Sequence, residues 1–438
     1  MMRLRMLLVV CLILTGFQAA LAEPMVTKAN DGGTVTFWLE TSLNRVYPRS
    51  EPGDKTELEI LTARNRQVSF QACLRNMRDK GLQVNCSVEG GDGLQIQVRR
   101  VGYVPMHNFT ADVPASELAG VGHIPGLVPD PLYPEPDALF GPFSTQSFWV
   151  TVKVPKDIEP GIRELTVKLK SSVLPQPAEM KVKVDVKELV LQPRKDFPVT
   201  HWWLPDAIYD YYKTGIYGER FWDLLQAFLE NMISHGSDVI MVPIFYCRRE
   251  VVERPPQMLD ITVDENGDYQ FDWTRTRRFV KLAKEVGFKY FEWSHLWIYK
   301  VDSTSYSVEN PTRMYTWKDG KAELLWPIDT PATGEVYRKF LSQFLPEFNK
   351  FLDEEDILEN SFFHLSDEPG PEEQDVANYK AARALIRELA PWIKSMDAMS
   401  DIRYGKLGLT DIPVPLANAA QEYIDAGIPH WVYYCCVE

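Results

Sequence analysis

The chain has 438 residues, of which 45% are apolar and 25% charged, and its formal net charge is −14 at pH 7. This length suits two or three domains, and the composition is that of an ordinary globular protein. The acidic balance and the lack of a basic cluster in the sequence argue against a nucleic-acid partner.

The first 22 residues have the pattern of a secretory signal. Arg3 and Arg5 precede an apolar run over residues 6–17, and residues 20–22 form an Ala-x-Ala cleavage site. The run is too short for a membrane-spanning helix, and no other stretch of the sequence is long and apolar enough to be one. We therefore predict cleavage before Glu23, a net charge of −16 for the mature chain, and a secreted, periplasmic or cell-surface location.

Five cysteines remain beyond this signal, an odd number without CxxC spacing, which argues against a zinc site. Cys73 and Cys86 flank a turn signal at residues 78–81, and a hairpin there would place the two thiols opposite each other. An exported protein permits a disulfide between them. Two unpaired buried thiols are the alternative.

Residues 23–193 are predicted to form an all-β domain. Between Val35 and Leu191 apolar and polar residues alternate between turn signals, with little helical periodicity, which is typical of a β-sandwich. The segments with the clearest strand pattern are residues 68–72, 94–98, 148–152, 165–169 and 180–186.

Beyond Pro193 the pattern changes to strands that alternate with helices, which implies a parallel sheet. We predict a (β/α)8 barrel over residues 194–438. The predicted strands are 199–204, 239–245, 290–297, 361–366, 394–399, 407–412 and 430–435, and the predicted helices are 221–233, 274–286, 336–352, 372–392 and 419–426. Only seven strands are found where eight are needed, so we expect a barrel that stops before its last strand.

Two insertions in this region carry hairpin turn signals. Residues 261–271 contain Asn266-Gly267, and residues 314–326 contain Asp319-Gly320. The acidic residues around Asn266 lack the glutamate that would complete a calcium loop, so a hairpin is favoured there. Both insertions follow strands and would rise on the barrel face where active sites lie.

The motif Ser366-Asp367-Glu368-Pro369-Gly370 places two adjacent carboxylates at the end of an apolar, aromatic strand. Pro369 keeps Glu368 out of the helical region, and Gly370 lets the chain turn away. Two adjacent carboxylates repel each other, which raises the pKa of one and leaves the pKa of the other low. Such a pair suits a reaction in which one acid donates a proton while its neighbour stays ionised. A solvated loop is the alternative, because Asp-Glu dipeptides are common.

Other predicted strands also carry aromatic, histidine or carboxylate side chains near their carboxyl ends, where barrels bind ligands. Alternate residues of a strand point to opposite faces, so only about half of these side chains can face a ligand, and a core role is the alternative for each tryptophan. The candidate substrate-binding residues are His201, Trp203, Trp293, His295, Trp297, Asp397, Trp431, Tyr433 and Tyr434. The sequence has no Ser-His-Asp order, glycine-rich phosphate loop or metal-spaced histidine cluster, so no cofactor and no metal is predicted.

With this arrangement the chain resembles glycoside hydrolase family 123, the exo-acting β-N-acetylgalactosaminidases. The resemblance covers residue 35 to the end and rests on the β-sandwich, the following barrel, residues 366–369 after the fourth strand, and aromatic strand ends such as residues 431–434. It implies that the second domain is catalytic and that the partner is a glycan or glycolipid substrate.

The resemblance also implies a retaining mechanism in which the 2-acetamido group of the substrate is the nucleophile and forms an oxazolinium ion. Asp367 would stay ionised and stabilise that cation, and Glu368 would act as general acid and then as general base. Tyr433 or Tyr434 would hold the acetamido oxygen. The alternatives are another β-N-acetylhexosaminidase with the same carboxylate pair and a non-catalytic glycan-binding surface protein.

Overall fold

The computed structural model describes residues 24–109, 116, 118–245, 257–299, 307–318 and 321–435. The predicted signal, Asp319-Gly320 and part of the loop after residue 245 lie outside these ranges. The chain divides into two compact units, one that ends at Pro193 and one that begins at Arg194. None of the described helices is both long enough and apolar enough to cross a membrane.

The first unit is built from two sheets that share one hydrophobic core. Its strands are β1 (Met25–Lys28), β2 (Thr34–Thr41), β3 (Glu57–Arg64), β4 (Arg66–Asn76), β5 (Leu82–Gly90), β6 (Gln95–Met106), β7 (Gly126–Tyr133), β8 (Asp137–Phe140), β9 (Ser144–Val154), β10 (Gly161–Lys170) and β11 (Ala178–Val190). One sheet has the order β1-β2-β4-β9-β6-β7 and the other β3-β11-β10-β5-β8. Neighbouring strands are antiparallel apart from β3 and β11. Alternate side chains such as Phe37 and Phe148 of the first sheet and Leu165 and Val182 of the second fill the core between them. The predicted all-β organisation is confirmed.

Both cysteines of the proposed disulfide are free and buried. Strands β4 and β5 do not pair with each other, because the chain passes from one sheet to the other between them. Cys73 packs with Trp38 and Val46 in a separate small cluster, whereas Cys86 lies in the core between the sheets. Of the two alternatives that the sequence left open, the structure has the two buried, unpaired thiols and not the disulfide.

The second unit combines helices with short strands. Its helices are α1 (Pro205–Tyr212), α2 (Glu219–Ser234), α3 (Thr274–Val286), α4 (Glu335–Glu354), α5 (Glu373–Leu389), α6 (Ile402–Lys406) and α7 (Ala420–Asp425). Its strands are β12 (Val239–Val242), β13 (Asp260–Val263), β14 (Tyr269–Asp272), β15 (Tyr290–Trp293), β16 (Trp297–Tyr299), β17 (Asn310–Pro311), β18 (Tyr315–Lys318), β19 (Lys321–Leu324), β20 (Ser361–Phe363), β21 (Met396–Ala398) and β22 (Ile412–Val414). The five predicted helices are all present, and the apolar faces of α2, α3, α4 and α5 pack into a common core. Helices α1 and α6 were missed.

The predicted (β/α)8 barrel is not supported. Strands β12, β15 and β20 form a three-stranded parallel sheet, and β21 and β22 form a separate parallel pair. Single bridges extend this arrangement at Thr200, at Ser395 and at Tyr433. Within the described ranges no pairing closes the sheet. The strand predicted over residues 407–412 is also wrong, since pairing begins only at Ile412.

Several strands of the second unit are shorter than predicted, because backbone groups at their ends do not pair with a neighbouring strand. The N–H groups of Leu365 and Ser366 donate to the side chain of Asp397 rather than to a neighbouring strand. Pro413 and Pro415 lack an N–H and therefore cannot donate to a ladder. The carboxyl ends of the strands are thus held largely by side chains, and these side chains form the candidate site.

Both predicted hairpins are confirmed. Strand β13 pairs antiparallel with β14, and β18 pairs antiparallel with β19. Gly267 adopts a φ of 74° in the first turn, a left-handed conformation that glycine takes without strain.

Candidate active site

The two adjacent carboxylates lie in different environments just beyond β20. Asp367 is buried, with 7% of its surface exposed, whereas the Glu368 side chain is exposed. Glu368 has a φ of 38°, which is unusual for a residue with a side chain, and its N–H donates to the carbonyl of Ala398 at 3.0 Å. This turn directs the two neighbouring side chains into different surroundings.

Beneath the motif lies a hydrogen-bonded chain of three charged side chains, which we call the buried triad: Glu292 of β15, His364 at the end of β20 and Asp397 of β21. His364 Nε2 lies 2.5 Å from Glu292 Oε1, and His364 Nδ1 lies 3.3 Å from Asp397 Oδ1. All three side chains are almost fully buried. The triad links three successive parallel segments at their carboxyl ends.

Further donors fill the remaining carboxylate positions of the triad. Thr200 Oγ1 and Trp202 Nε1 donate to Glu292 at 2.5 and 2.7 Å. The N–H groups of Leu365 and Ser366 donate to Asp397 at 2.9 and 3.1 Å, and the Tyr379 hydroxyl of α5 donates to its other oxygen. Donors in this number stabilise the ionised form of a buried carboxylate.

The pKa values of His364 and Glu292 follow from these bonds. Burial alone would lower the pKa of His364, but hydrogen bonds to Asp397 and Glu292, together with their charges, raise the pKa to about 10. Burial works against ionised Glu292, yet the bonds from His364, Thr200 and Trp202 lower its pKa. His364 is therefore an imidazolium cation at neutral pH.

His295 follows β15 and stacks on His364, with ring centroids 4.4 Å apart. Burial and the neighbouring charge of His364 hold its pKa well below the usual histidine value, so this second ring is neutral. Neither of its ring nitrogens has a hydrogen-bond partner within the described part of the chain. Trp202 lies edge-on to both rings and leaves 47% of its surface exposed.

Burial and the adjacent charge of Glu368 raise the pKa of Asp367 to about 7, while the charge of His364 opposes this rise. Glu368 accepts a hydrogen bond from the hydroxyl of Tyr433, and burial together with this bond raises the pKa of Tyr433. The motif thus combines a buried carboxyl that titrates near neutrality with an exposed carboxyl held by a phenol.

The structure brings together five of the eleven residues predicted from the sequence: Asp367, Glu368, His295, Asp397 and Tyr433. It does not bring the other six to them. His201 bonds Ser237 and Trp203 stacks on Phe279 of α3. The tryptophans at 293, 297 and 431 pack against Phe348, Tyr337 and Phe362 respectively, and Tyr434 is largely exposed.

These misplacements have a common cause, which is the two-residue alternation of extended chain. In the segment His201-Trp202-Trp203 the central residue bonds Glu292, and its two neighbours point elsewhere. A shift of one residue exchanges the two faces. Trp293 likewise faces the core because Glu292 faces the site.

Sequence reasoning missed Thr200, Trp202, Glu292, His364 and Tyr379 as site residues. One signal was available, since Glu292 is a charged residue inside the strand Tyr290-Phe291-Glu292-Trp293. A carboxylate there must face either a partner or a ligand. The partners themselves come from distant parts of the chain and have no mark in the sequence.

The described residues include no group of three or more His, Cys, Asp and Glu side chains arranged to hold a metal ion. The site can transfer protons and stabilise charge. It contains the exposed carboxyl of Glu368, the buried carboxyl of Asp367, the phenol of Tyr433 and the cation of His364. This set suits acid–base chemistry on a polar substrate that develops positive charge.

Replacing Asp397 by alanine is expected to lower the free energy of unfolding by about 3–5 kcal/mol, because it leaves His364 charged and unpaired on one side. Urea unfolding measures this. The matched control is Glu388→Ala, which removes a carboxylate from an exposed pair with Arg338 and should cost less than about 1 kcal/mol. Equal losses in the two variants would contradict the charged state of the triad.

A model of the family described as glycoside hydrolase 123, catalytic domain, matches residues 202–438, which is more than half of the chain. A solved family 123 glycoside hydrolase from Clostridium perfringens, from a study of glycolipid glycan hydrolysis, has a TM-score of 0.72 and 15% identity. That match covers 92% of this chain and 72% of the other. At this identity it shows a shared fold.

Two further solved structures match a smaller part of the chain. A FixG-related protein from Vibrio parahaemolyticus has a TM-score of 0.18 and 8% identity over 28% of this chain and 81% of its own. Native alpha-2-macroglobulin from E. coli has a TM-score of 0.20 and 11% identity over 35% of this chain and 6% of its own. Neither score supports an argument about function. No curated protein matches the sequence.

Proposed function

Since this chain belongs to glycoside hydrolase family 123, we propose that it removes terminal β-linked N-acetylgalactosamine from glycans or glycolipids with retention of configuration. The observation that carries the proposal is the pair Asp367 and Glu368, two adjacent carboxyls of which one is buried and one exposed. Such a difference lets two otherwise similar acids take different roles in proton transfer; which acid takes which role is part of the proposal.

In this mechanism the substrate supplies its own nucleophile. The carbonyl oxygen of the 2-acetamido group attacks the anomeric carbon, the bond to the leaving oxygen breaks, and an oxazolinium ion forms. Adjacent side chains support this scheme, because an ordinary retaining enzyme needs a separate nucleophile across the ring with its carboxyl about 5–5.5 Å from the acid. Water then attacks the same face that the leaving group left, so the configuration is retained.

Glu368 is the proposed general acid and base. It gives its proton to the leaving oxygen and then takes a proton from the attacking water. Its exposed position supports exchange with solvent, and the Tyr433 hydroxyl orients the carboxyl. Of the two tyrosines predicted to hold the acetamido oxygen, Tyr433 bonds Glu368. Tyr434 is largely exposed and has no such bond among the described residues.

Asp367 is the proposed stabiliser of the cation. In its ionised form it accepts the acetamido N–H and offsets the positive charge of the oxazolinium ion. Its pKa of about 7 means that ionisation needs neutral or alkaline pH, or the approach of that positive charge. Trp202, which is half-exposed and lies edge-on to both histidine rings, is the aromatic side chain that we assign to contact with the sugar ring.

Nitrophenyl glycosides test this proposal. We expect turnover of the N-acetyl-β-galactosaminide and much slower turnover of the β-galactoside, which lacks the 2-acetamido nucleophile. Preferred turnover of the N-acetyl-β-glucosaminide would assign the chain to another hexosaminidase specificity. Saturable binding of glycans without turnover of any of the three would make the protein a binder and contradict the proposal.

The signal pattern of residues 1–22 supports the further proposal that the enzyme acts outside the cytoplasm. The intact mass of the exported protein checks this, and persistence of residues 1–22 would contradict it.

A further inference from the structure

The His364 ring is held as a cation by geometry. Both ring nitrogens face carboxylate oxygens, Nε2 toward Glu292 and Nδ1 toward Asp397. An ionised carboxylate only accepts hydrogen bonds, so each nitrogen must carry a proton in order to bond it. A ring with both protons is an imidazolium ion, and its charge is matched by the two carboxylates on either side.

The two carboxylates are in turn held ionised by their other partners. Glu292 accepts from Thr200 and Trp202, and Asp397 accepts from two backbone N–H groups and from Tyr379. Trp202 Nε1–H and the two backbone N–H groups can only donate, so they favour the ionised form of the carboxylates that accept them. The hydroxyls of Thr200 and Tyr379 complete the bonds of the other two oxygens.

The triad is coupled directly to the catalytic motif. His364 precedes Asp367 by three residues, and Asp397 holds the N–H groups of the two residues between them. Ala398, next to Asp397, accepts the N–H of Glu368. The cation and the buried carboxyl thus belong to one short, doubly anchored segment, and their separation is fixed.

We propose that His364 is a positioning residue whose imidazolium, clamped between Glu292 and Asp397, is the fixed positive charge that allows Asp367 to ionise beside Glu368. This inference rests on the proposed function, in which Asp367 acts as an ionised group. Among the described groups that act on Asp367, Glu368, Asp397 and Glu292 are carboxylates and His364 is the one cation.

Within the described part of the chain, the groups that act on the ionisation of Asp367 are of both signs. Burial, Glu368, Asp397 and Glu292 oppose its ionisation, and His364 favours it. Around His364 the neighbouring ionisable groups are Glu292, Asp397 and the stacked His295. His295 is neutral, so it adds no second positive charge. Tyr433 and Tyr379 reach the carboxylates of Glu368 and Asp397 as uncharged donors.

The variant His364→Gln tests the inference, because glutamine retains a hydrogen-bond donor without the charge. The carboxyl titration of Asp367 is followed by NMR in protein labelled with 13C at aspartate carboxyls. We expect the midpoint to move to higher pH by about one unit, and the acid side of the kcat/KM profile to move with it. A merely structural role would lower activity at every pH without moving the midpoint.

The matched control is Ser361→Ala on the same strand. It removes the buried bonds of Ser361 to Trp293 and to the Ile357 carbonyl and changes no charge. It should lower stability and leave the Asp367 midpoint unchanged. An unchanged midpoint in His364→Gln, or an equal shift in both variants, would overturn the inference.

The unmodified protein provides a measurement that does not depend on the variant folding. The 15N shifts of its histidine rings should show His364 with both nitrogens protonated at pH 8 and His295 with a single proton at the same pH. A neutral His364 at pH 8 would overturn the inference. Both NMR measurements need no turnover, so they decide the inference even if the nitrophenyl glycosides show that the proposed activity is wrong.

Discussion

The variant Asp367→Asn is expected to lower kcat/KM for N-acetyl-β-galactosaminides by about 10²–10³-fold, the range typical for loss of one group that stabilises charge in a transition state. Asparagine keeps the size of the side chain and removes the charge that offsets the oxazolinium ion. Because the first step forms that cation with any leaving group, the loss should be similar for activated and natural substrates.

The same variant should be more stable than the wild type at alkaline pH. In the folded protein burial raises the pKa of Asp367 to about 7 from its ordinary value of 3.8, so the folded state binds more protons between these values than the unfolded state does. Stability therefore falls as the pH rises from about 4 to about 7 and stays lower above that. Each unit of pKa shift corresponds to about 1.4 kcal/mol, which places the gain in Asp367→Asn on the order of 2–4 kcal/mol at pH 8.

Urea unfolding at pH 4.5 and at pH 8, combined with steady-state kinetics, measures both effects. The control is Asp425→Asn, which changes an exposed carboxylate of α7 and should leave turnover and the pH dependence of stability unaltered. Near-normal turnover in Asp367→Asn would refute the role of this residue. Stability that is equal to the wild type at both pH values would contradict the buried, partly protonated carboxyl.

The variant Glu368→Gln is expected to separate substrates by their leaving groups. Without a general acid, cleavage of natural glycosidic bonds should fall by about 10²–10⁴-fold, the usual value of acid–base assistance. A nitrophenolate leaves without a proton, so the first step on nitrophenyl substrates should lose much less. The Tyr433 hydroxyl keeps an acceptor in the glutamine oxygen, which limits structural change.

Azide provides the second half of this test. Breakdown of the oxazolinium ion by water needs a general base, whereas the azide anion attacks without one. Azide should therefore partly restore turnover of nitrophenyl substrates by Glu368→Gln and yield a β-glycosyl azide. Equal losses on natural and activated substrates, with no response to azide, would show that Glu368 is not the acid–base residue.

Local features of the second unit could be predicted because they depend on local physics. The apolar stripe of α3 and the glycine that follows it fixed that helix at Thr274–Val286, with Gly287 in a left-handed cap. The hairpin of β13 and β14 followed from Asn266-Gly267. The motif Asp367-Glu368 was located because an aromatic strand and a Pro-Gly turn frame it.

The barrel could not be predicted in the same way, because closure depends on pairing between distant segments. The sequence pattern marks an apolar segment at Val199–Leu204 but does not show that only Thr200 bridges to β12. The buried triad was missed for a related reason. Its members are separated by 72 and 33 residues along the chain, and only the fold brings them together.

The sequence also could not show which residues at the strand ends face the site and which face away from it. His201, Trp202 and Trp203 are equally plausible ligands by residue type, and the structure selects Trp202 through its bond to Glu292. Here the physical determinant is a buried carboxylate on another strand, which no local pattern reveals.

The most direct test of the account is the dependence of turnover on the acetamido group itself. Nitrophenyl β-galactosaminides with N-acetyl, N-fluoroacetyl, N-difluoroacetyl and N-trifluoroacetyl groups share one leaving group, while each fluorine withdraws electrons from the carbonyl oxygen. If that oxygen is the nucleophile, kcat should fall at every step of the series, by about tenfold or more in total, equivalent to at least ~1.4 kcal/mol in the barrier. A kcat that does not change with fluorination would contradict a mechanism in which Asp367 stabilises an oxazolinium ion.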